Sequence, residues 1–534
     1  MEKLGCIKKK KTKFILSLIS GIVYILGMGV LMASGGLSVY ILSYIHHKDK
    51  WVDMQYGNLM MPFILLFISM FSPLAGPLEQ FCGPIVCMLI STIISEICLF
   101  LFYIQRNIWF FYSISILVGL GVGISANIPI KNACFYYPEK KGLISASIMS
   151  FVAVGTAIYI LVGEQLINPE KRGVIDQETD PYYPEDISER VKNYFIFGMF
   201  VLPIGSILSC LFFYKYNPIC ETEEKENEKN GEPDEENEEN EGNEETENEK
   251  KEELKEDFIK KNVRQKKLNS FYKPSPSKNI KKALKSCRFW RNIIIAGVMP
   301  FWVCFIQASF RAYVVMLGVD TNIIFYLGSG LSLIGCILGP IWATLVDKFG
   351  FQPIMKIIGF ICSLMPIYFY LFMGDKFYYP IGLAISVSTF IGIMSALTPH
   401  LMHIYGIRYF LTIGGLARLF NELSGFLAAL TSIIISIFYK NAEELLFPYQ
   451  MIVAGGGVLS VIGLILVFFE NDEKYNFGDE DEENRYLENG EADKQNDTFE
   501  KEKNYINENA STILDVTNSS RTTLNTNDNI KNTE

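Results

Sequence analysis

The residues best suited to chemistry lie close together in one apolar stretch of this chain. Arg418 is followed by Asn421, Glu422 and Gly425 at positions i+3, i+4 and i+7, so all four fall on one helical face. The stretch, 410–437, is long enough to cross a bilayer, and Arg418 lies about ten residues from its start, near mid-membrane depth. An ionisable side chain at that depth costs about 2.5–3.5 kcal/mol and usually has a function.

This polar face predicts a binding site for a small ligand. A guanidinium stays charged and presents a planar fork of donors that suits a carboxylate. We therefore expect Arg418 to bind the ligand, Asn421 to line the same site, and Glu422 to hold or release the ligand and to be a candidate for proton coupling. The alternative is an intrahelical Arg418–Glu422 pair that only packs the helix against its neighbours.

Four further polar residues in apolar stretches extend this prediction. Glu96 is a lone carboxyl midway along its stretch and a candidate proton carrier; the alternative is a protonated glutamate bonded to a neighbouring helix. Gln307 and Arg311 share one helical face, and Asn127 lies in a glycine-rich stretch, so all three are predicted ligand contacts. The alternatives are extension of Arg311 to the membrane surface and close helix packing around Asn127.

The other charged and histidine residues predict no catalytic chemistry. Lys131, His400 and His403 are interpreted as solvated residues at the cytosolic rim, with gating as the alternative. The four histidines are scattered and predict no metal site, and no phosphate-binding loop is present to indicate ATP drive. The net charge of −10 comes from polar segments and indicates no nucleic-acid partner. We expect neither an enzyme nor a cofactor.

Twelve apolar stretches position these residues, in two sets of six. Each is about 20 residues or longer, enough to cross a hydrocarbon core of about 30 Å as a helix. Backbone polar groups cannot go unsatisfied in lipid, so the stretches must be helical. The sequence predicts an all-α integral membrane protein with twelve transmembrane helices in two six-helix bundles. The stretches are 14–40, 55–76, 84–104, 108–130, 142–163, 194–215, 291–316, 323–345, 353–373, 379–402, 410–437 and 448–469.

Charge separates the apolar sets from polar segments. The predicted segments are a basic N-terminus (1–13), an N-terminal bundle (14–216), a low-complexity linker (217–289), a C-terminal bundle (290–470) and a disordered acidic tail (471–534). Lysines and arginines precede the first stretch and follow the fourth and sixth, which predicts cytosolic termini, a cytosolic linker and tail, and an outer 164–192 loop. We expect the plasma membrane, with an organelle membrane as the alternative.

The two halves carry related short loops, which indicates an internal repeat. After the second stretch the chain reads GPLEQFCG at 76–83, and after the eighth it reads ATLVDKFG at 343–350. Both have the spacing of G-x-x-x-D-R/K-x-G, which resembles the signature loop of the major facilitator superfamily. That resemblance covers 14–216 and 290–470, and it implies two bundles that rock around a central site.

The resemblance also implies a gating loop in each half. The first copy keeps Gly76 and Gly83 but lacks the charges, whereas the second keeps Asp347, Lys348 and Gly350. A carboxylate in this loop can hold one gate closed through charge pairs, so a charge lock is expected only in the C-terminal half. The alternative is a simple turn between helices.

A third loop resembles particular branches of the superfamily. Residues 137–142 read YPEKKG, similar to the aromatic-Pro-x-x-Arg/Lys-Gly loop of oxalate/formate-antiporter-like and monocarboxylate-transporter-like proteins. Two departures concern the substrate. The charged pair that monocarboxylate transporters carry in the eighth span is absent from 323–345, and the stretch 17–29 lacks their acidic residue. An anion site in this chain must therefore be built elsewhere.

Together these features predict a secondary active transporter of a small, monocarboxylate-like organic anion. It would be proton-coupled or exchanging and would work by alternating access. One alternative is a transporter of an amino acid or another small polar nutrient, in which Arg418 takes the carboxylate and Glu422 or Glu96 the amine. An alternative of a different class is a non-transporting nutrient receptor. The expected partners are a small molecule, protons and the lipid bilayer, and we expect a monomer.

Overall fold

The computed structural model describes residues 2–52, 56–105, 107–174, 182–215, 277–316, 321–375, 377–439 and 442–470. Within these ranges the side chains of 2–10, 277–279 and 311–329, and a few single ones, are not described. Most of the predicted linker and the whole predicted tail lie outside the described residues. All described residues belong to one compact unit.

The N-terminal bundle contains ten helices among the described residues. Four of its membrane-crossing segments contain one continuous helix each (α1, α5, α8 and α10), and two are assembled from shorter pieces. The helices are α1 (Glu2–Gly36), α2 (Ser38–Lys48), α3 (Gly57–Phe71), α4 (Ala75–Cys82), α5 (Pro84–Ile104), α6 (Ile108–Gly123), α7 (Ile128–Tyr136), α8 (Lys141–Ile167), α9 (Glu185–Glu189) and α10 (Val191–Phe212). Short 3₁₀ turns at Ser72–Leu74 and Pro138–Lys140 precede α4 and α8.

The C-terminal bundle contains eight helices among the described residues. They are α11 (Ser277–Lys285), α12 (Cys287–Val298), α13 (Phe301–Met316), α14 (Thr321–Phe349), α15 (Phe351–Phe372), α16 (Tyr378–Tyr405), α17 (Phe410–Phe438) and α18 (Ala442–Phe468). A 3₁₀ turn at Ile407–Tyr409 joins α16 to α17.

These helices confirm the predicted fold class. Eleven helical segments among the described residues are long and apolar enough to cross a membrane. The 29-residue helix α14 supplies the twelfth, and no strand occurs in the described ranges. The exterior is apolar, as lipid requires: on α5 the side chains of Ile93, Ile97 and Phe100 are exposed, while Ser91 and Cys98 are buried.

The fourth span is interrupted in the middle of the protein. Helix α6 ends at Gly123, residues 124–127 form turns, and α7 begins at Ile128. The break is repaired by buried hydroxyl groups: Tyr24 donates to Ser125 at 2.7 Å, Ser125 donates to Ser91 at 2.6 Å, and Ser91 donates to the carbonyl of Gly121 at 2.6 Å. Irregular backbone at membrane depth is tolerated because these side chains satisfy it.

The two halves make the same turn at the signature loops. Gly83 has φ +84° and directly precedes α5, and Gly350 has φ +87° and directly precedes α15. Residues with a Cβ rarely adopt this conformation, so glycine is required at both positions. The matching geometry supports the internal repeat inferred from the sequence.

The bundles touch mainly along two helix pairs, α3 with α17 and α8 with α14. We call the end of the molecule where α4, α7, α14 and α16 finish the Asp347 end. The opposite end carries the C-terminal turn of α2, where His46 lies, and the loop that follows it.

Candidate functional site

Arg418 contacts the other bundle rather than its own helix. It is the ninth residue of α17, and its Nη1 donates to Oδ1 of Asn127 at 3.0 Å. Asn127 is 3 % exposed and occupies the position just before α7, at the break in the fourth span. A cation of the C-terminal bundle thus meets the start of a half-helix of the N-terminal bundle.

The contact continues to a residue that sequence reasoning missed. Asn127 donates through Nδ2 to Oγ of Ser72 at 3.0 Å, and Ser72 opens the 3₁₀ turn between α3 and α4. Two interrupted spans therefore meet at the guanidinium. The signal in the sequence was a polar residue followed by proline, Ser72-Pro73, inside a stretch that is otherwise apolar.

Glu422 and Asn421 are neighbours, but Glu422 does not pair with Arg418. Asn421 donates through Nδ2 to Oε1 of Glu422 at 3.1 Å. No ion pair joins Arg418 to Glu422 in the described part of the chain, so the intrahelical pair considered from the sequence is not formed. Oδ1 of Asn421 and Oγ of Ser424 are buried without a hydrogen-bond partner, which leaves acceptor capacity on this face.

Helix α13 brings Gln307 toward the same face. A Cβ added to Gly425 of α17 would lie 3.8 Å from Sγ of Cys304, so this turn of α13 packs against α17. Gln307 follows Cys304 by three residues and shares its face, and its Nε2 is buried without a partner. The side chain of Arg311 lies outside the described residues, so its predicted role is open.

Glu96 is not brought together with Arg418. It lies on α5, which packs against α6 and α10 of its own bundle. Its sequence neighbours Ile93 and Ile97 are 60 % and 51 % exposed, so Glu96 borders the lipid-facing side of α5. One of its carboxyl oxygens is nevertheless buried without a hydrogen-bond partner. Glu96 is thus half-buried, and its position separates it from the predicted ligand contacts.

Asp347 joins the bundles at the end named after it. Its Oδ1 accepts a hydrogen bond from the backbone N–H of Gly142 at 3.0 Å, and its Oδ2 accepts one from Leu143 at 2.8 Å. Gly142 and Leu143 belong to the first turn of α8, where unsatisfied N–H groups and the helix dipole favour a negative charge. Lys348 does not take part: it is exposed and lies over the ring of Phe349 at 5.2 Å.

Close glycine packing closes the same end beside α17. A Cβ on Gly76 would lie 2.4 Å from Oγ1 of Thr412, and one on Gly415 would lie 2.8 Å from the backbone nitrogen of Pro73. Helix α4 and the turn before it approach α17 so closely only because these two positions lack side chains. The Asp347 end is therefore closed on both sides of the bundle interface.

Of the residues interpreted as solvated, His400 is buried and Lys131 is half-buried. His400 is 2 % exposed, stacks on Phe351 at 3.6 Å between ring centroids and contacts Glu470 at 3.4 Å. The Lys131 side chain is 12 % exposed and pairs with Glu79 at 2.6 Å. That interpretation was wrong for both, because each contacts a carboxylate from a distant sequence position, which offsets the cost of removing it from solvent. His403 is half-buried and is not settled by these contacts.

The sequence profile of the Major Facilitator Superfamily matches residues 18–429. The chain belongs to this superfamily. A crystal structure of a variant of the fucose:proton symporter of E. coli matches with a TM-score of 0.52 and 12 % sequence identity, covering 85 % of this chain and 98 % of that chain. At this identity the similarity is one of fold. No curated protein matches the sequence.

Membership of the major facilitator superfamily makes the chain a secondary transporter rather than an enzyme. Such proteins bind small molecules between two bundles within the lipid bilayer. In this chain the bundle interface includes Arg418 and Asn127 at the centre. It also includes Asp347 and Gly142 at one end. In the described ranges no cluster of histidine, cysteine and acidic residues is arranged to hold a metal ion.

Proposed function

We propose that this transporter moves a small organic anion bearing a carboxylate, coupled to protons or by exchange. The observation that carries the proposal is the hydrogen bond from Arg418 to Asn127, which places a guanidinium between the two bundles. A buried cation at this depth is costly unless it has a partner. An amide oxygen supplies only a partial charge, so a substrate carboxylate would be a stronger partner than Asn127.

The carboxylate would bind where the side chain of Asn127 now accepts. Arg418 would offer its planar fork of donors, and the N-terminus of α7 would lie on the other side. The dipole of that half-helix favours a negative charge at its N-terminus. Substrate would therefore be held by both bundles at once, which is the condition for coupling its binding to their relative movement.

Alternating access would then require the contacts that close the Asp347 end to break. The bonds from Gly142 and Leu143 to Asp347 would break when the Asp347 end opens, together with the close packing of Gly76 and Gly415. We assign the Asp347 end to the cytosol, with the predicted linker and tail on the same side and the protein a plasma-membrane monomer. The loop 137–142 and the branch resemblance it carries fit an anion substrate.

One observation favours an amino acid or another small polar nutrient instead. Glu422 has no ion-pair partner in the described ranges, and Asn421, Ser424 and Gln307 each present a buried polar atom without a partner. These groups could take an ammonium or hydroxyl groups while Arg418 takes a carboxylate. The E. coli protein of similar fold is a fucose:proton symporter. We keep the polar nutrient as the second candidate.

Counterflow in reconstituted vesicles separates these functions. Vesicles loaded in turn with lactate, pyruvate, formate and a panel of amino acids and hexoses are assayed for uptake of the labelled compound. We expect exchange with a carboxylate lacking an amine. Exchange restricted to amino acids or hexoses would move the assignment to the second candidate. Ligand binding without any flux would identify a receptor and overturn the transporter proposal for this chain.

A further inference from the structure

A short basic helix precedes the first membrane-crossing helix of the C-terminal bundle. Helix α11 reads SKNIKKALK, so its nine residues include four lysines and no carboxylate. Ser286 alone separates it from α12, whose residues Arg288 and Arg291 contact Glu470. Because Glu470 also contacts His400 near the end of α16, α11 lies at the Asp347 end of the molecule.

Contacts on both sides of Ser286 fix the position of α11. The backbone of Ser286 is extended, and its Oγ accepts a hydrogen bond from the N–H of Phe289 at 3.2 Å, which caps α12. Across this break the indole of Trp290 donates to the carbonyl of Leu284 at 2.9 Å. Ala283 is fully buried. Helix α11 therefore packs with the face that carries Ala283 turned toward the protein.

The opposite face of α11 is positively charged. Lys281 and Lys285 are exposed and lie about one turn apart on one side of the helix. Each is two residues from Ala283, about 200° around the helix axis. Neither of these two lysines pairs with a carboxylate in the described part of the chain. Like charges at this spacing destabilise a helix, so a negatively charged surface facing them would stabilise α11.

The exterior of α12 places this basic face at the edge of the lipid bilayer. Trp290 is 46 % exposed and Ile294, one turn further along α12, is 42 % exposed. Exposed apolar side chains on a membrane-crossing helix face lipid, and tryptophan is enriched where the hydrocarbon meets the headgroups. Because Trp290 is hydrogen-bonded to the carbonyl of Leu284, the last turn of α11 lies at the level of the headgroups.

We propose that α11 binds the headgroups of anionic phospholipids through Lys281 and Lys285. Basic clusters immediately cytosolic of a membrane-crossing helix are attracted to an anionic leaflet in this way. A soluble acidic partner would match the charge of these lysines, but only a lipid surface also matches the exposed Trp290 and Ile294 beside them. The proposal rests on the assignment of the Asp347 end to the cytosol, but on no particular substrate.

The test is amide hydrogen exchange of the purified full chain in lipid nanodiscs. One preparation contains phosphatidylcholine alone, and the other replaces part of it by phosphatidylserine. Exchange of the backbone amides of 281–285 should slow about fivefold or more in the second preparation, because each lysine near an anionic surface contributes roughly a factor of five to binding. This protection should weaken at high ionic strength, since salt screens the attraction between exposed charges.

Two double variants connect the protection to this face of α11. Lys281→Gln with Lys285→Gln removes both charges from exposed positions and should abolish the effect of phosphatidylserine. Lys140→Gln with Lys348→Gln is the matched control: it removes two exposed lysines from the same end, leaves α11 unchanged and should respond as the wild type does. Equal loss of protection in the two double variants would overturn the proposal. So would full protection of α11 in neutral lipid, or no effect of phosphatidylserine on the wild type.

Discussion

Arg418 and Asn127 are 291 residues apart in sequence and meet in one hydrogen bond of 3.0 Å. One belongs to the C-terminal bundle and the other to the N-terminal bundle, so the bond crosses the interface that must open and close during transport. It ties the central cation to a half-helix start without neutralising its charge. In the function proposed above, a substrate carboxylate would displace Asn127 from the guanidinium, because the amide oxygen is the weaker partner.

The first prediction concerns the shape of the cation. Arg418→Lys keeps the charge but loses the donor fork, so the apparent KM for an anionic substrate should rise about tenfold with residual flux. Arg418→Gln should abolish flux. Uptake by proteoliposomes measures both, and detergent-solubilised expression levels report folding. The double variant Arg418→Gln with Glu422→Gln is the control for a purely structural role. Recovered transport in that double variant would contradict binding by Arg418.

The second prediction concerns Asn127. Asn127→Asp replaces the amide oxygen facing Arg418 by a carboxylate of similar shape, which would occupy the guanidinium as an internal ion pair. The apparent KM for an anionic substrate should rise about tenfold or more, whereas folding should be preserved. Inhibition of uptake by unlabelled anion gives the affinity. An unchanged affinity would mean that substrate does not compete with residue 127 for Arg418.

Sequence reasoning placed these two residues without predicting that they touch. The spacing of residues 418, 421 and 422 was sufficient to predict one polar helical face, because helical periodicity depends on the local sequence alone. The partner of Arg418 could not be predicted in this way. Helix packing across the bundles decides whether the guanidinium reaches Glu422 one turn away or Asn127 in the other bundle. Ser72 was missed for the same reason.

The gate shows a similar division. The loop spacing predicted that Asp347 takes part in a gate contact. The positive φ angles explain why glycine occurs at 83 and 350. The partner of Asp347 proved to be a pair of backbone N–H groups, which carry no signal in a sequence. Burial of His400 was likewise unpredictable, because Glu470 and Phe351 reach it only after the bundle has assembled.

The third prediction concerns the contact of Asp347 with α8. Asp347→Asn removes the negative charge and can accept only one of the two N–H bonds, so the Asp347 end should open more often. Hydrogen exchange at Gly142 and Leu143 should accelerate about tenfold, a change of about 1.4 kcal/mol. Lys348→Gln is the neighbouring control and should leave this exchange unchanged, because Lys348 is exposed. Unaltered hydrogen exchange in Asp347→Asn would indicate that the loop is only a turn between helices and does not hold this end closed.

The fourth prediction concerns the packing of α17. Gly415→Ala would place a Cβ 2.8 Å from the backbone nitrogen of Pro73, and backbone cannot move aside as a side chain can. Overpacking of this kind costs about 1–3 kcal/mol, so the thermal unfolding midpoint should fall. Gly455→Ala is the matched control, because nothing lies within 4 Å of its Cβ. A midpoint that falls equally in both variants would contradict a specific inter-bundle contact at Gly415.

The fifth prediction concerns Glu470, which lies two residues after the end of α18 and joins it to the start of α12. Its oxygens accept from Nε of Arg288 at 2.7 Å and Nε of Arg291 at 2.6 Å, and its side chain is fully buried. Burial alone would raise the pKa of Glu470, but the hydrogen bonds from His400, Arg288 and Arg291 outweigh it and lower the pKa to about 2. The cluster is thus stabilised by an ionised carboxylate.

A lowered carboxyl pKa fixes the sign of the pH dependence. The stabilisation is fully present above the unfolded value of about 4.3 and is lost as the pH falls toward about 2. Glu470→Gln should lower the unfolding free energy at neutral pH by about 3 kcal/mol, since it removes the carboxylate charge that both arginines contact. The difference in thermal midpoint between wild type and variant should shrink from roughly pH 5 downward. Glu139→Gln, an exposed carboxyl at the same end, should show no such difference, and a pH-independent gap for Glu470→Gln would contradict the ionised cluster.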